Sequence, residues 1–429
     1  MQLREEREKR GLFHQFSDEK LFDMYSKGGE SFYLGCDPSA DSLQLGNVCA
    51  LMAAVNLMKY GNKCFFLVGG ATGMIGDPSL KDAERTYLGE EQLRYNEKRI
   101  YDQIKNFLEN LQKKFGLKFD YEMVDNYDFY TNMNFLTFLT DVGQYITVNT
   151  MIAKESVKKR ITDPDKSITY AEFSYMLIQG YDFSYLYKNK GVKLQLGGSD
   201  QRGNVTTGIE IIRKKYDQEA YGVTIPLITD ASGKKFGKSE GNAIWLDHEK
   251  TSPYFVYQYF MNTNDEDVGK YFKVLTLLDV DEVDKIVAEH MKKPELRYGQ
   301  KELAKAVIEV LFDKESAEQA EKISEVLFGE GDKMTLLSGF SKGDVDALMK
   351  EVGGTEVKVG SEGVKFLDIC TASGLTESNG EAKKMIQSGS LFCNEVKVED
   401  PQMIVTKNNF VNGMLLLRKG KKVFKVVKK

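Results

Sequence analysis

The chain has 429 residues, enough for about three domains at roughly 150 residues each. Hydrophobic residues make up 41% of it and charged residues 29%, which excludes a disordered or collagen-like protein. The 59 basic and 64 acidic residues give a net charge of -5, which excludes a bulk polycation but not a local basic patch for a nucleic acid. No apolar run approaches the roughly 18–20 residues that span a bilayer. We therefore expect no membrane association.

Cysteine and histidine are too few and too scattered to predict a metal site. The five cysteines form no C-x-x-C pair, and the three histidines lie far apart in the chain. We therefore expect a cytoplasmic protein without disulfides. The same scarcity argues against a hydrolase that uses a Ser-His-Asp or Cys-His arrangement.

The first half of the chain alternates predicted strands and helices. Residues 31–36, 63–68 and 194–196 are short apolar runs typical of buried strands, and 48–60 has helical spacing. This alternation predicts an α/β fold with a parallel sheet. Ligands of such sheets bind beyond the carboxyl ends of the strands.

The pattern changes after residue 250. Residues 252–351 lose the strand signal and predict helices, and the glycines of 353–363 suggest a linker. From residue 361 onward, 12 basic residues face 7 acidic ones, and seven of the basic residues lie within 418–429. A basic tail on an acidic body indicates a polyanionic partner, although a solvated terminal tail is the simpler alternative.

A first glycine-rich segment, residues 69–78, follows a predicted strand. It reads GGATGMIGDP and lacks the G-x-G-x-x-G spacing of a dinucleotide site. It predicts either a ligand loop or a structural turn.

A second segment, residues 232–242, combines lysines and glycines around Lys235-Phe236-Gly237-Lys238-Ser239. A loop of this composition suits a polyphosphate whose charge shifts during a reaction. The G-x-x-x-G-K-S spacing is one residue short of a P-loop, which we therefore reject.

Two further segments place polar groups beside predicted helices. Residues 35–47 predict a strand end, a turn and a helix that begins near Leu45, where free N–H groups favour phosphate and where Gln44 and Asn47 add donors. Tyr175, Gln179 and Asp182 are spaced i, i+4, i+7 on one helix face, which points either to a ligand or to water.

Together these motifs resemble the bacterial-type tyrosyl-tRNA synthetases, a family of class I aminoacyl-tRNA synthetases. The 235–239 loop is similar to the KMSKS signature of class I enzymes, and Gly197-Gly198-Ser199-Asp200-Gln201 resembles the family's substrate-contacting loop. Segments 366–368, 381–386 and 389–394 resemble an S4-type RNA-binding domain.

The resemblance implies a division of the chain and a reaction. It implies a Rossmann-like catalytic domain (1–250), an α-helical domain on the anticodon side (251–351), a linker (352–364) and a small S4-like α+β domain (365–429). The implied activity joins L-tyrosine to tRNA(Tyr) with ATP and Mg²⁺, without a prosthetic group. The implied assembly is a homodimer, and residues 135–153 are apolar enough to supply an interface or a core helix.

The resemblance also implies roles for individual residues. Tyr33 and Asp182 would bind the phenol, and Asp77, Tyr175 and Gln179 the ammonium group, with Gln201 beside the carboxylate. The residues implied around the nucleoside are Gly35, Asp37, Gly46, Asn47, Gly198 and Asp200. The residues implied around the phosphates are Ser39, Gln44, Lys81, Arg85, Lys235, Lys238 and Ser239.

One departure from the family stands out. The HIGH-type signature, which begins and usually ends with histidine, reads Gln44-Leu45-Gly46-Asn47 here, and Arg202 stands where tryptophan is common. An amide can still donate a hydrogen bond, so we expect the reaction to survive with a transition-state contact weakened by about 1–2 kcal/mol. The alternatives are a tryptophanyl-tRNA synthetase-like enzyme and a catalytically impaired RNA-binding relative.

Overall fold

The computed structural model describes residues 2–79, 88–231, 233, 236–239 and 242–429, with only the backbone of Lys238, Ser239 and Asn242. The chain forms two compact units. The first comprises Met1–Ser252 and Tyr259–Asp313, and the second comprises Pro253–Gln258 and Lys314–Lys429. None of the described helices combines the length and the apolar character that crossing a membrane requires.

Among the described residues, the first unit contains a six-stranded sheet in the order β1-β6-β5-β2-β3-β4. Strands β2 to β6 run parallel, and β1 is an antiparallel edge strand. The parallel sheet predicted from the sequence is thus confirmed. The strands are β1 (Gln15–Phe16), β2 (Ser31–Cys36), β3 (Lys63–Val68), β4 (Tyr121–Asp125), β5 (Val192–Gly198) and β6 (Tyr221–Ile225), followed by the short hairpin β7 (Lys238–Ser239) and β8 (Asn242–Ala243).

Helices cover the sheet and fill the rest of the first unit. They are α1 (Leu3–Arg10), α2 (Lys20–Lys27), α3 (Leu45–Lys59), α4 (Thr72–Ile75), α5 (Glu90–Phe115), α6 (Tyr127–Tyr130), α7 (Phe135–Asp141), α8 (Val148–Ile152), α9 (Glu155–Ile161), α10 (Tyr170–Lys190), α11 (Arg202–Tyr216), α13 (Asp265–Leu275), α14 (Val280–His290) and α15 (Tyr298–Leu311), while α12 (Pro253–Met261) contributes residues to both units. Single 3-10 turns occur at Gly143–Tyr145, Ser199–Gln201 and Pro294–Leu296.

Helices α10 and α11 approach each other closely because each has a glycine at the contact. A Cβ on Gly180 would lie 2.8 Å from Ile211 Cδ1, and a Cβ on Gly208 would lie 2.8 Å from Phe183 Cδ1. Side chains larger than hydrogen would therefore push the helices apart. The close packing fixes α10 against the sheet, where Phe183 and Tyr33 share one apolar cluster.

The parallel strands end at a common edge. Strand β2 lies between β3 and β5. The chain passes from β2 to β3 and β4 on one side of β2, and then to β5 and β6 on the other side. This is the position at which open α/β sheets form a crevice for ligands. The segments after β2, β3, β4, β5 and β6 all meet there, beginning with Asp37, Gly69, Asn126, Ser199 and Pro226.

The second unit pairs helices with a small sheet. Its main sheet has the order β12-β11-β14-β15-β9, and β10 pairs with β13. Its elements, apart from the start of α12, are α16 (Lys314–Phe328), α17 (Lys333–Ser338), α18 (Lys342–Val352), β9 (Gly354–Glu356), β10 (Val364–Lys365), α19 (Phe366–Ala372), α20 (Asn379–Gln387), β11 (Leu391–Cys393), β12 (Val396–Lys397), β13 (Ile404–Val405), a 3-10 turn at Lys407–Asn409, β14 (Met414–Lys419) and β15 (Val423–Lys428).

Part of the predicted linker is a strand. Residues 352–364 include β9, which pairs in parallel with Val426–Lys428. A Cβ on Gly354 would lie 1.8 Å from the Val426 carbonyl oxygen, so the glycine permits a close backbone approach rather than marking a loop. Residues 251–351 contain helices α12 to α18, with 251–252 and 259–313 in the first unit and 253–258 and 314–351 in the second. The domain boundaries themselves stay predictions.

A buried ion pair fixes the start of α10. The Arg160 guanidinium donates to Glu172 Oε1 at 3.0 Å and to Oε2 at 3.1 Å, and both side chains are 2% exposed. Arg160 Nε also donates to the Ser167 carbonyl at 2.7 Å. The pair therefore ties α9 and the segment before α10 to the first turn of α10.

We predict that Arg160→Met destabilises the first unit by about 3–5 kcal/mol, because the buried Glu172 carboxylate would lose its counter-charge and keep only the hydrogen bonds from Thr169. The matched control is Lys158→Met, an exposed cation on the same helix. Thermal unfolding of the two variants checks this. Equal melting temperatures would show that the pair contributes nothing to stability.

Candidate active site

A cavity of about 350 Å³ opens at the carboxyl edge of the parallel strands. Strands β2, β5 and β6, the start of α3 and one face of α10 all contribute to its wall. The structure brings most of the residues singled out from the sequence together here. They are Tyr33, Gly35, Asp37, Gln44, Gly46, Asn47, Asp77, Tyr175, Gln179, Asp182, Gly198, Asp200 and Gln201.

Of the remaining candidates, only Ser39 has a described side chain, and it is not among the described lining residues. Ser39 is exposed, and its N–H donates to the Asp37 carbonyl at 2.8 Å in the turn after β2. Lys81, Arg85 and Lys235 lie outside the described residues. Lys238 and Ser239 are described by backbone alone, as strand β7.

The polar stripe of α10 points inward. Tyr175, Gln179 and Asp182 all line the cavity, so the alternative of a solvent-facing stripe is wrong for this helix. Helix α10 begins at a capping box, in which Glu172 N donates to Thr169 Oγ1 at 3.2 Å. That cap and the close contact with α11 orient the stripe.

Asp182 supplies a carboxyl group in the buried part of the cavity. It is 1% exposed, its Oδ2 accepts a hydrogen bond from Asn126 Nδ2 at 2.9 Å, and its Oδ1 accepts one from the Tyr130 hydroxyl at 2.8 Å. Burial raises the pKa of Asp182 to about 7, although the two hydrogen bonds lower it; the nearby Asp37 and Asp125 carboxylates raise it.

Two buried polar atoms of the cavity lining have no partner within the described part of the chain. They are the Tyr33 hydroxyl and Gln195 Oε1, whose residues pair across β2 and β5 and line the cavity. Burial raises the pKa of Tyr33 well above its ordinary value, so the phenol stays protonated. Buried polar groups without partners are rare, and here they suit a ligand that carries a hydroxyl.

A chain of hydrogen bonds joins Asp182 to Asp37. Asn126 Nδ2 donates to Thr72 Oγ1 at 3.1 Å, and Thr72 Oγ1 donates to Asp37 Oδ1 at 2.6 Å. The Tyr175 hydroxyl donates to Asp37 Oδ2 at 2.7 Å. Asn126 and Gln195 were not singled out from the sequence, where only their position after or within strands could have indicated them, while Thr72 lies in the glycine-rich segment 69–78.

The first glycine-rich segment makes room for these carboxylates. A Cβ on Gly69 would lie 2.3 Å from Asp37 Oδ1, and a Cβ on Gly70 would lie 2.3 Å from Asp125 Oδ1. The Gly70 N–H donates to Asp125 Oδ1 at 3.1 Å. The two glycines thus leave space for the carboxylates without lining the cavity themselves. Two other residues of the same segment, Thr72 and Asp77, do line it.

A second acidic group lies around Gln201. Gln201 Nε2 donates to Asp77 Oδ2 at 2.6 Å and to Asp200 Oδ2 at 3.0 Å. Asn204 Nδ2 donates to Gln201 Oε1 at 3.0 Å. With Asp37, these carboxylates make the cavity suitable for a cationic ligand group. Among the described residues, no group of three or more His, Cys, Asp or Glu side chains is arranged to hold a metal ion.

The start of α3 adjoins the lysine-rich loop. Gln44 N donates to Asn47 Oδ1 at 2.9 Å, which caps the helix. Leu45 N donates to the Ile244 carbonyl at 2.8 Å, and Ile244 N donates to the Gly237 carbonyl at 2.9 Å. Gly237 has φ +79°, and a Cβ there would lie 3.1 Å from Gly46 N. The backbone on both sides of Lys238 is therefore held against a helix N-terminus, a favourable place for phosphate.

Known protein families match both parts of the chain. The family described as tRNA synthetases class I (W and Y) matches residues 27–329. The family described as the tyrosine–tRNA ligase SYY-like C-terminal domain matches residues 344–427. The chain is 40% identical over 431 residues to the tyrosine–tRNA ligase of Streptococcus gordonii, which covers 100% of each protein. It is 40% identical to tyrosine–tRNA ligase 1 of Streptococcus thermophilus, over 98% of each protein.

Solved structures that resemble this chain are also aminoacyl-tRNA synthetases. A C-terminally truncated mitochondrial tyrosyl-tRNA synthetase of Aspergillus nidulans superposes with a TM-score of 0.70 at 29% identity, over 76% of this chain and 94% of that one. The tryptophanyl-tRNA synthetase of Plasmodium falciparum, at 17% identity and a TM-score of 0.50, over 73% of this chain and 84% of that one, shares the fold. Since the relatives that match along the whole length are tyrosine–tRNA ligases, the tryptophanyl alternative is not favoured. The chain belongs to the tyrosine–tRNA ligases of the class I aminoacyl-tRNA synthetase family.

Proposed function

We propose that this chain joins tyrosine to tRNA(Tyr) in two steps in the cytoplasm. The tyrosine carboxylate attacks the α-phosphorus of ATP, which forms tyrosyl-adenylate and releases pyrophosphate. A ribose hydroxyl at the 3′ end of the tRNA then takes the tyrosyl group and releases AMP. The observation that carries the proposal is one cavity lined by a buried carboxyl, by a phenol without a partner among the described residues and by a helix N-terminus.

The buried part of the cavity accounts for tyrosine selection. Asp182 accepts the hydrogen bond of the substrate hydroxyl, and the Tyr33 hydroxyl donates to the substrate oxygen. Phenylalanine would leave the buried Tyr33 hydroxyl without a partner and would take one hydrogen bond from the buried Asp182 carboxyl, which costs more than one lost contact.

The acidic groups hold the remaining parts of the amino acid. Asp77, Tyr175 and Gln179 bind the ammonium group, and Gln201 lies beside the carboxylate. Since Gln201 donates to both Asp77 and Asp200, it also sets the distance between the amino acid and the nucleotide.

The rest of the cavity accommodates ATP. Asp37 and Asp200 bind ribose hydroxyls, and the glycines allow the adenosine to approach the backbone; the full set is Gly35, Asp37, Gly46, Asn47, Gly198 and Asp200. Around the phosphates we place Ser39, Gln44, Lys81, Arg85, Lys235, Lys238 and Ser239. The cations act on the charge that builds up on the leaving pyrophosphate, which stabilises the transition state more than bound ATP.

Magnesium arrives with the nucleotide in this proposal. The cavity carboxylates already accept hydrogen bonds from Thr72, Tyr175 and Gln201, and they suit sugar and ammonium donors better than a metal cage. Phosphate oxygens and water are the ligands that Mg²⁺ prefers in such sites, where it neutralises part of the phosphate charge.

We predict that the protein exchanges pyrophosphate into ATP only when tyrosine is present. Asp182→Ala should reduce the rate of this exchange on the order of 100-fold, because hydrogen bonds to a charged group contribute about 1.5–3 kcal/mol each. Asp128→Ala, which removes an exposed carboxylate from the segment after β4, is the control. Exchange that needs no tyrosine, or that survives in Asp182→Ala, would contradict the assignment. A catalytically impaired relative would show no exchange.

We further propose that the protein is a homodimer. Helices α7 and α8 expose large apolar side chains, among them Phe135 at 61%, Leu136 at 71% and Val148 at 58%. Residues 135–153 contain a single charged residue, Asp141. An exposed apolar surface with so little charge favours a partner of the same character, and a second copy of this chain supplies one.

We predict that Leu136→Asp converts the dimer into a monomer, since a carboxylate at the centre of an apolar interface would be buried without a partner. Sedimentation equilibrium measures the mass in solution. Met291→Asp, at another apolar position that is 54% exposed, should leave the mass unchanged. A dimeric Leu136→Asp variant would remove this face from consideration.

The S4-like tail is proposed to bind tRNA. Lys421 and Lys422 are exposed between β14 and β15, in a tail with an excess of basic residues. Reversing both charges should slow tRNA charging about tenfold at moderate salt, because phosphate contacts are lost. Pyrophosphate exchange should be unchanged. Reversal of Lys292 and Lys293 in the first unit is the control, and equal charging rates for both double variants would contradict a role for the tail.

A further inference from the structure

Tyr130 contacts the carboxyl group on which tyrosine selection depends in the proposed function. It is the last residue of α6, just after β4, and no sequence motif indicated it. Its hydroxyl oxygen lies 2.8 Å from Asp182 Oδ1 and 2.8 Å from the Ile178 carbonyl oxygen. Its ring packs in an apolar cluster that includes residues of α10, and the centroid of the ring lies 5.3 Å from that of Tyr181.

The two contacts of this hydroxyl depend on where a proton lies. Asp182 Oδ1 and the Ile178 carbonyl are both acceptors when Asp182 is ionised, and a phenol has one proton to donate. The Tyr130 proton then goes to Asp182, because hydrogen bonds to a charged acceptor are the stronger ones. When Asp182 is protonated it can donate to the Tyr130 oxygen, and Tyr130 then donates to Ile178.

We propose that Tyr130 is a positioning residue for tyrosine recognition: its hydroxyl holds Oδ1 of Asp182 while Asn126 holds Oδ2, so that the carboxylate presents a free lone pair to the substrate phenol. The inference rests on the proposed role of Asp182. It adds a residue that touches no substrate and acts through the carboxylate alone.

Two hydrogen-bond donors are needed to fix the orientation of the Asp182 carboxylate. A carboxylate on a helix can rotate about its terminal bond, and rotation would move its lone pairs away from the substrate. Asn126 at 2.9 Å and Tyr130 at 2.8 Å fix both oxygens from the protein side. Each oxygen has a second lone pair, and Asp182 lines the cavity, so the carboxylate keeps an acceptor position for a ligand.

Tyr130 also affects the ionisation of Asp182. Besides Tyr130, the titratable groups that interact with Asp182 are Tyr33 on β2, Asp37 after β2, Asp125 on β4, and Tyr175 and Tyr181 on α10. Burial raises the pKa of Asp182 to about 7, and the Tyr130 hydrogen bond opposes that rise. Loss of the hydroxyl therefore raises the pKa further and reduces the ionised fraction near neutral pH.

The test is Tyr130→Phe, with Tyr181→Phe as the control. Both changes remove one hydroxyl from rings of the same cluster, but only Tyr130 bonds to Asp182. In pyrophosphate exchange, Tyr130→Phe should raise the KM for tyrosine about tenfold at pH 7 with little change in kcat, as expected for a lost hydrogen bond to a charged group. Tyr181→Phe should match the parent protein.

The pH profile separates positioning from a structural role. In the parent, the KM for tyrosine should fall as pH rises through about 7, because the ionised Asp182 accepts a stronger hydrogen bond from the phenol than the protonated carboxyl does. In Tyr130→Phe the midpoint should move to higher pH, and the KM difference from the parent should shrink toward pH 8.5. An unchanged midpoint, or a loss confined to kcat, would overturn the inference.

Two results tell the proposals apart. A parent without tyrosine-dependent exchange would remove the proposed function, whereas an active parent with an unaltered Tyr130→Phe would remove only the positioning role.

Discussion

The burial of the Asp182 carboxyl is the constraint on which the proposed recognition site depends. A carboxylate removed from water is unstable unless the protein supplies hydrogen bonds. Here Asn126 and Tyr130 supply them from the segment after β4. The site thus requires strand β4 to end beside helix α10, although the two are far apart in the chain. A cavity with a partly compensated acid at its base favours a ligand that brings a hydroxyl.

Glycine provides the space that this arrangement needs. Gly180 and Gly208 let α10 and α11 pack closely, which brings Asp182 to the cavity, and Gly69 leaves room for Asp37. Side chains at these positions would separate elements that carry the polar groups. The glycines therefore act through packing, and their effect on ligand binding is indirect.

The amide residues that replace the usual histidines keep the helix start of α3 in order. Asn47 accepts the Gln44 N–H and closes the first turn, while backbone hydrogen bonds through Ile244 hold the chain beyond Lys238 nearby. A histidine is not needed for either contact. The amides at positions 44 and 47 therefore leave the architecture around the proposed phosphate site intact. What they change is the strength of the hydrogen bond that Gln44 would donate to a phosphate.

The sequence by itself determined the elements whose signal is local. Residues 31–36 and 63–68 are continuous apolar runs between turn residues, and both are strands of those bounds. The i, i+4, i+7 spacing of Tyr175, Gln179 and Asp182 required a shared helix face. The lysine-rich loop and the QLGN segment were recognisable from residue type and spacing alone. Membership of the family followed from these motifs in their order.

Tertiary structure decided what depends on distant partners. Composition predicts a linker at strand β9, because the strand pairs with β15 residues 72 positions away, which local composition does not reveal. Whether the α10 stripe faced a ligand or water depended on what packs against it. Tyr130, Asn126 and Gln195 carry no motif, since each acquires its role only through the atom that lies opposite it in space. Their identity as site residues is a property of the fold, because hydrogen bonds act over about 3 Å and not along the chain.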